Sequence, residues 1–147
     1  MDKDQLSKID RRWRKFQELL GFTDEELAIY MSNPKHIKAM ENASNFSTHD
    51  ISIEIIESKN CGAGYRVGDK FVIGGDGCLH SNESPPKLCL AALYAMKPLV
   101  DRMWEAFYNG SSEVLHDTVH CPDVGVENGG WGKVLMRVRA VLKKNSE

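Results

Sequence analysis

"ISIEIIE", residues 51 to 57, decides the fold. Ile51, Ile53 and Ile55 alternate with Ser52 and Glu54. A period of two puts the isoleucines on one face of a strand and the polar groups on the other. Upstream of this stretch, apolar residues recur at three- and four-residue steps; downstream, the two periods are mixed. The chain therefore reads as α+β, a small, mostly antiparallel sheet packed on one long helix with an N-terminal helical extension. The change of period sets the boundary: a helical extension over residues 1–46 and a cysteine-containing α+β domain over 47–147.

Upstream, Leu6, Ile9, Trp13, Phe16 and Leu20 form one helical stripe that stops at Gly21. Thr23 followed three residues later by Glu26 is a capping box, and it opens a short helix to about Met31. Asn33 and Pro34 have the spacing of a cap and a first helical residue. These helices carry stripes too narrow to stand alone, so they are expected to wrap the domain or a second copy. His36 falls on a polar face, where it is expected to be solvated.

Downstream, the spacing predicts a strand within 65–74, after a turn at Val67-Gly68-Asp69, and then a glycine-rich loop. A helix is expected over 84–109, opened by Ser84, Pro85 and Pro86 and ended by Asn109-Gly110. Cys89, Leu93, Met96, Val100, Met103 and Phe107 make its inner stripe, and Pro98 should kink it. Two further strands are expected, over 113–121 and 132–143. In the first, Leu115, Val119 and Cys121 share a face. In the last, Val134, Met136 and Val138 do. Trp131, in "ENGGWG", reads better as a core plug than as a lid.

The 147 residues allow one domain with a real core, and the net charge of −2 gives no basic excess for nucleic acid. The longest apolar run, "LCLAALYAM", is too short to span a bilayer. "MDKDQLSKIDRRW" lacks the apolar run of a secretory signal. The expected compartment is the cytoplasm, where four thiols stay reduced unless something binds them.

Those four, Cys61, Cys78, Cys89 and Cys121, all fall at element boundaries, where backbone can bend around a ligand. Four readings compete. Three or four thiolates, with His80 or His120, would hold zinc or iron, although no Cys-x-x-Cys pair is present. One thiol, Cys89 at a helix start or Cys121 beside Asp123, would be a nucleophile or redox centre. A disulfide is the third, disfavoured by the compartment. The fourth is that the thiols are buried as small hydrophobes. His80, two residues after Cys78, is the first histidine to test as a ligand. Strand parity sets His120 on the face opposite Cys121. No phosphate-loop pattern is present in "GAGYRVG" or "GGDG".

Taken together, "CGAGYRVGDKFVI", "PPKLCLAAL" and "HCPDVGVENGGWGKVLMRV" resemble a family of small uncharacterised bacterial and archaeal proteins. Its pattern is a Cys-x-Ala-Gly-[His/Tyr]-x-Val-Gly-Asp start, a cysteine at a helix start, and a Cys-Pro/Thr-Asp before the last strand. The resemblance covers roughly residues 50–142, and the N-terminal extension is similar to that of longer members. Matching positions are Cys61, Gly64, Val67, Gly68, Asp69, Cys89, Cys121 and Asp123. Tyr65 stands where many members carry histidine, and Asn128 where longer members often carry cysteine. The resemblance brings no activity with it. It implies that Cys61, Cys89 and Cys121 belong together, and the occurrence of longer members in anaerobes keeps iron beside zinc.

The expected function is a small cytoplasmic metal-binding protein with zinc or iron on Cys61, Cys89 and Cys121, and with Cys78 or His80 as fourth ligand. With an open coordination position, His80, His120 and Asp123 are the candidates for proton transfer on a small molecule. The alternatives are an interaction subunit of a larger enzyme with packed cysteines, and a metal-free cysteine enzyme. The expected partners are a second copy, through the N-terminal helices, or that larger enzyme; no nucleic acid or membrane is expected.

Overall fold

The structure, a computed structural model, describes residues 11–144. They fall into two compact units divided between Glu41 and Asn42. The first holds α1 (Arg11–Leu20), α2 (Asp24–Met31) and most of α3 (Pro34–Asn42). The second holds a short α4 (Asn45–Thr48), β1 (His49–Lys59), β2 (Lys70–Ile73), α5 (Leu90–Tyr108), β3 (Thr118–His120) and β4 (Lys133–Leu142).

In the first unit, local chemistry sets the helix ends. Gly21 takes φ +71° after α1, a left-handed conformation that glycine adopts without strain. The capping box is formed: Thr23 Oγ1 accepts the Glu26 N–H at 3.2 Å, and Glu26 Oε2 accepts the Thr23 N–H at 2.8 Å. Asn33 Oδ1 accepts the N–H of Lys35 at the start of α3. Trp13 and Leu27 are buried, and Phe16 and Phe22 meet edge-on while Tyr30 lies tilted against both. His36 departs from expectation. Its Nδ1 lies 2.7 Å from the Tyr30 carbonyl and its ring stacks on Tyr30 at 4.0 Å, so it caps the aromatic cluster instead of facing water. Leu6 and Ile9 of the expected α1 stripe lie outside the described residues.

In the second unit the sheet has the order β2-β1-β4-β3, with every neighbouring pair antiparallel. The alternation that identified β1 holds at its start. Ile51, Ile53 and Ile55 are fully buried, opposite Ile73 and Phe71 on β2 and Val138 and Met136 on β4. β4 alternates as expected, with Val134, Met136 and Val138 inward. α5 closes this face with Ala92, Met96, Leu99, Val100, Met103 and Phe107, and it runs as one helix through Pro98. The result is an α+β domain with one long helix on a four-stranded sheet.

Three boundaries move. α5 begins at Leu90, with Cys89 as its N-cap, not at Ser84. Ser84 is used elsewhere, since its Oγ accepts the Val72 N–H on the outer edge of β2, and two consecutive prolines behind it favour extended backbone. β2 itself is only Lys70–Ile73. β3 shrinks to three residues, and Leu115, expected to point inward, is 89% exposed. β3 is an outer strand with β4 on one side only, and Pro122 follows two residues after its end. The other outer edge, β2, is covered by its own continuation: Leu79 bridges Ile73, and the His80 N–H donates to the Val72 carbonyl.

One further irregularity matters for the site. The pairing of β1 with β4 slips between Ile55 and Glu57, so Ile56 is an extra residue, a β-bulge. Beyond it the parity reverses, and Ser58, not Glu57, stands opposite the buried Val134.

Phe71 is fully buried and meets Tyr65 edge-to-face at 5.2 Å. Phe71→Ala is expected to cost about 3–5 kcal/mol in urea unfolding. A loss below about 1 kcal/mol would show that this ring does not anchor β2 to the core.

Candidate functional site

Three of the four cysteines lie at one end of the sheet, where β1 stops and β4 starts. A chain of contacts connects them. The Cys121 N–H donates to the Val134 carbonyl at 2.9 Å, so Cys121 lies beside the inward-facing Val134. Val134 is paired with Ser58, whose Oγ donates to the Tyr65 carbonyl at 2.7 Å. The Tyr65 hydroxyl accepts the Cys89 N–H at 2.7 Å and donates to the Lys87 carbonyl at 2.7 Å. Cys61 follows the end of β1 by two residues, and its carbonyl accepts the Gly64 N–H. Tyr65 is thus the hinge pin of this end: it fixes the first turn of α5 against β1.

The three thiols are half-buried and rest against the hydrophobic core. Burial pushes the Tyr65 hydroxyl above its ordinary pKa, and the nearby Cys89, Cys61 and Asp69 groups push the same way against the Cys89 N–H. Simple alternation along Ile51, Ile53 and Ile55 also brings Cys61 to the core face, but the strand does not run on to it and the structure gets there by another route. The bulge at Ile56 reverses the parity, and Asn60 then takes φ 52°, turning the chain back.

Tetrahedral zinc at about 2.3 Å from each sulfur needs sulfurs roughly 3.8 Å apart. Among the described residues, no three cysteine sulfurs lie within 4.8 Å of one another. As placed, the set is an open arrangement of soft donors and not a formed cage. Cys78 is not part of it. It is exposed, in the loop beyond β2. His80 is not part of it either. Its N–H pairs with Val72, which lies opposite Ser52. Ser52 and Lys59 are seven strand steps apart, roughly 23 Å, so His80 is too distant to be a fourth ligand for Cys61.

Asp123 is committed to structure. Its Oδ1 accepts the N–H groups of Gly125 and Trp131, and its Oδ2 that of Gly132. These bonds, with Gly132 foremost, hold its carboxyl below the ordinary range. The clamp ties the Val126–Asn128 turn to the start of β4. Trp131, which sequence alone reads as a core plug, is 75% exposed. Its indole lies against the Cys61 turn: a Cβ on Gly62 would come within 3.3 Å of it. His120 lies on an exposed position of β3 and borders a shallow groove with Tyr94, Pro98, Val119 and Pro122.

His80 has a different setting. Its Nδ1 is 3.1 Å from Glu83 Oε2, and Glu83 Oε1 is 3.0 Å from Lys144 Nζ. Lys144 first, and then His80, hold Glu83 below the ordinary carboxylate range. Asp50 completes the group, with ligand atoms of Asp50, His80 and Glu83 all within 4.8 Å of one another. Neither acid is marked by the sequence, because their meeting depends on a pairing register and a loop path.

The chain matches no family model, no curated protein and no solved structure.

Two outcomes check this description. Tyr65→Phe leaves the Lys87 carbonyl and the Cys89 N–H without their partner and is expected to cost about 1–3 kcal/mol in denaturant unfolding. For Asp123, a folded pKa below the unfolded value means that its contribution is complete above the unfolded carboxylate range and drains away as pH falls through the folded value. Asp123→Ala should therefore lower the melting temperature at neutral pH. Its deficit against the wild type should shrink as pH drops below about 4. A pH-independent deficit would mean the carboxylate charge plays no part in the clamp.

Proposed function

We propose that the domain is a small metal-binding protein that works through a thiol centre made by Cys61, Cys89 and Cys121, holding zinc or iron. The observation that supports this reading is the common location of the three half-buried thiols at one end of the sheet, linked through Val134, Ser58 and Tyr65. Each comes from a different element boundary: the turn after β1, the N-cap of α5, and the residue after β3. Boundaries of this kind can draw sulfurs together at less cost than a regular ladder. Metal binding would supply the closing energy, as it does in proteins whose sites form only with the ion. Of the three residues considered for proton transfer, His120 is the one near this end that is free of a structural clamp; Asp123 holds its loop and His80 is remote.

A second reading is favoured by the surface beside the thiols. Leu90 and Tyr94, on the first turn and a half of α5, are 81% and 76% exposed, and Tyr94 borders the groove along β3. On that reading the domain is an interaction subunit of a larger enzyme, with the cysteines packed as small hydrophobes.

Cobalt(II) loading of untagged, full-length protein under reducing, oxygen-free conditions separates the two. A thiol centre gives an intense near-ultraviolet thiolate-to-cobalt band at one cobalt per chain. Cys121→Ser should abolish most of it while the protein keeps its far-ultraviolet circular dichroism. Protein that folds, binds cobalt without that band, and has uniformly slow thiols toward iodoacetamide supports the subunit reading.

A further inference from the structure

Asp50 lies near the start of β1, at the opposite end of the strand from the cysteines. It is nine-tenths buried, and its Oδ1 is shut off from solvent with no hydrogen-bond partner. A carboxylate oxygen left in that state is costly unless something positive is supplied. The register explains what surrounds it. Ile51 pairs with Ile73, so the next position opposite Asp50 on the β2 side is Gly74. Gly74 has no side chain, and the imidazole of His80 fills the space: a Cβ there would sit 2.6 Å from His80 Nε2. The Glu83 N–H donates to the His80 carbonyl, a turn that brings the Glu83 carboxylate back against the His80 ring.

We propose that Asp50, His80 and Glu83 form a binding site for a divalent first-row transition cation, held by two carboxylates and one imidazole. The spacing suits such an ion. Donor atoms about 2.1 Å from a metal and at right angles lie roughly 3.0 Å apart; His80 Nδ1 and Glu83 Oε2 are 3.1 Å apart. Opposite corners of an octahedron are roughly 4.2 Å apart, and the three ligand atoms all lie within 4.8 Å of one another. The ion takes the place of the proton between His80 and Glu83 and gives Asp50 the positive partner it lacks. Lys144 stays on the second oxygen of Glu83, orienting it as an outer partner. Carboxylate and imidazole donors suit manganese(II) or iron(II), whereas thiolates favour softer ions such as copper(I). The inference does not rest on the thiol centre, which is nine strand residues away, from Asp50 to Lys59, roughly 30 Å.

Manganese(II) is the probe, because it is hard and reports this donor set apart from thiols. Full-length untagged protein is titrated with manganese(II), and the free ion is followed by electron paramagnetic resonance. The expected result is one saturable site per chain, with a manganese-dependent rise in melting temperature. Asp50→Asn should weaken binding at least about tenfold and lose the thermal shift. Without metal it should melt no lower than the wild type, because a neutral amide replaces an unpaired charge. Gly74→Ala is a second variant that keeps all three ligands: its methyl group would displace the imidazole, and binding should weaken while the fold remains. Asp101→Asn, a surface acid paired with Lys97, should bind as the wild type does. The proposal is overturned if no saturable site is seen below about 1 mM, or if Asp50→Asn and Gly74→Ala both bind as the wild type.

Discussion

The burial of one face of β1 organises the α+β domain. Ile51, Ile53 and Ile55 are sealed between flanking strands on either side and α5 above. Because β1 is paired on both edges, its direction and register fix β2 and β4 at once, and β4 carries β3. A one-residue slip would expose three isoleucines and bury Asp50, Ser52 and Glu54 deeper, which is why this register is strongly specified. Everything chemical in the domain follows from that strand having two ends. At one stand three sulfurs and a tyrosine hydroxyl. At the other stand two carboxylates and an imidazole.

Those ends differ in the chemistry of the side chains they gather. The cysteine end offers polarisable donors set against hydrocarbon, held by a tyrosine that acts as a tie-bar. The Asp50 end offers compact oxygen and nitrogen donors, one of them desolvated and unsatisfied. Soft and hard donors are thus kept apart along one strand, and the two ends share no side chain.

The sequence carried the fold further than the site. The period-two stretch at Ile51, the 3.6-residue stripe through Met96, Val100 and Met103, and the Thr23–Glu26 box are local signals, and each became the element it announced. Errors arose where local and tertiary demands diverge. Ser84-Pro85-Pro86 has the composition of a helix start, but Ser84 is spent satisfying an edge amide of β2. Trp131 has the bulk of a core residue, yet it lies on a glycine turn with most of its surface open. Counting by twos along β1 brings Cys61 to the core side, yet the agreement is indirect, because the extra residue Ile56 and the left-handed Asn60 both intervene. Asp50 and Glu83 carry no local signal for a different reason. What makes them a pair is the missing side chain of Gly74, and an absence opposite a strand residue is visible only once the partner strand is known.

The two margins of the sheet are finished in different ways. Along β2, the chain doubles back and spends its own amides and hydroxyls on the open hydrogen-bonding groups. Along β3, the margin is left bare but is kept to three residues and is followed closely by a proline. Neither margin offers a foreign strand a long template, so polymerisation by strand addition is suppressed on both sides. A domain guarded in this way offers a partner little open backbone, so recognition of it falls mainly to side chains.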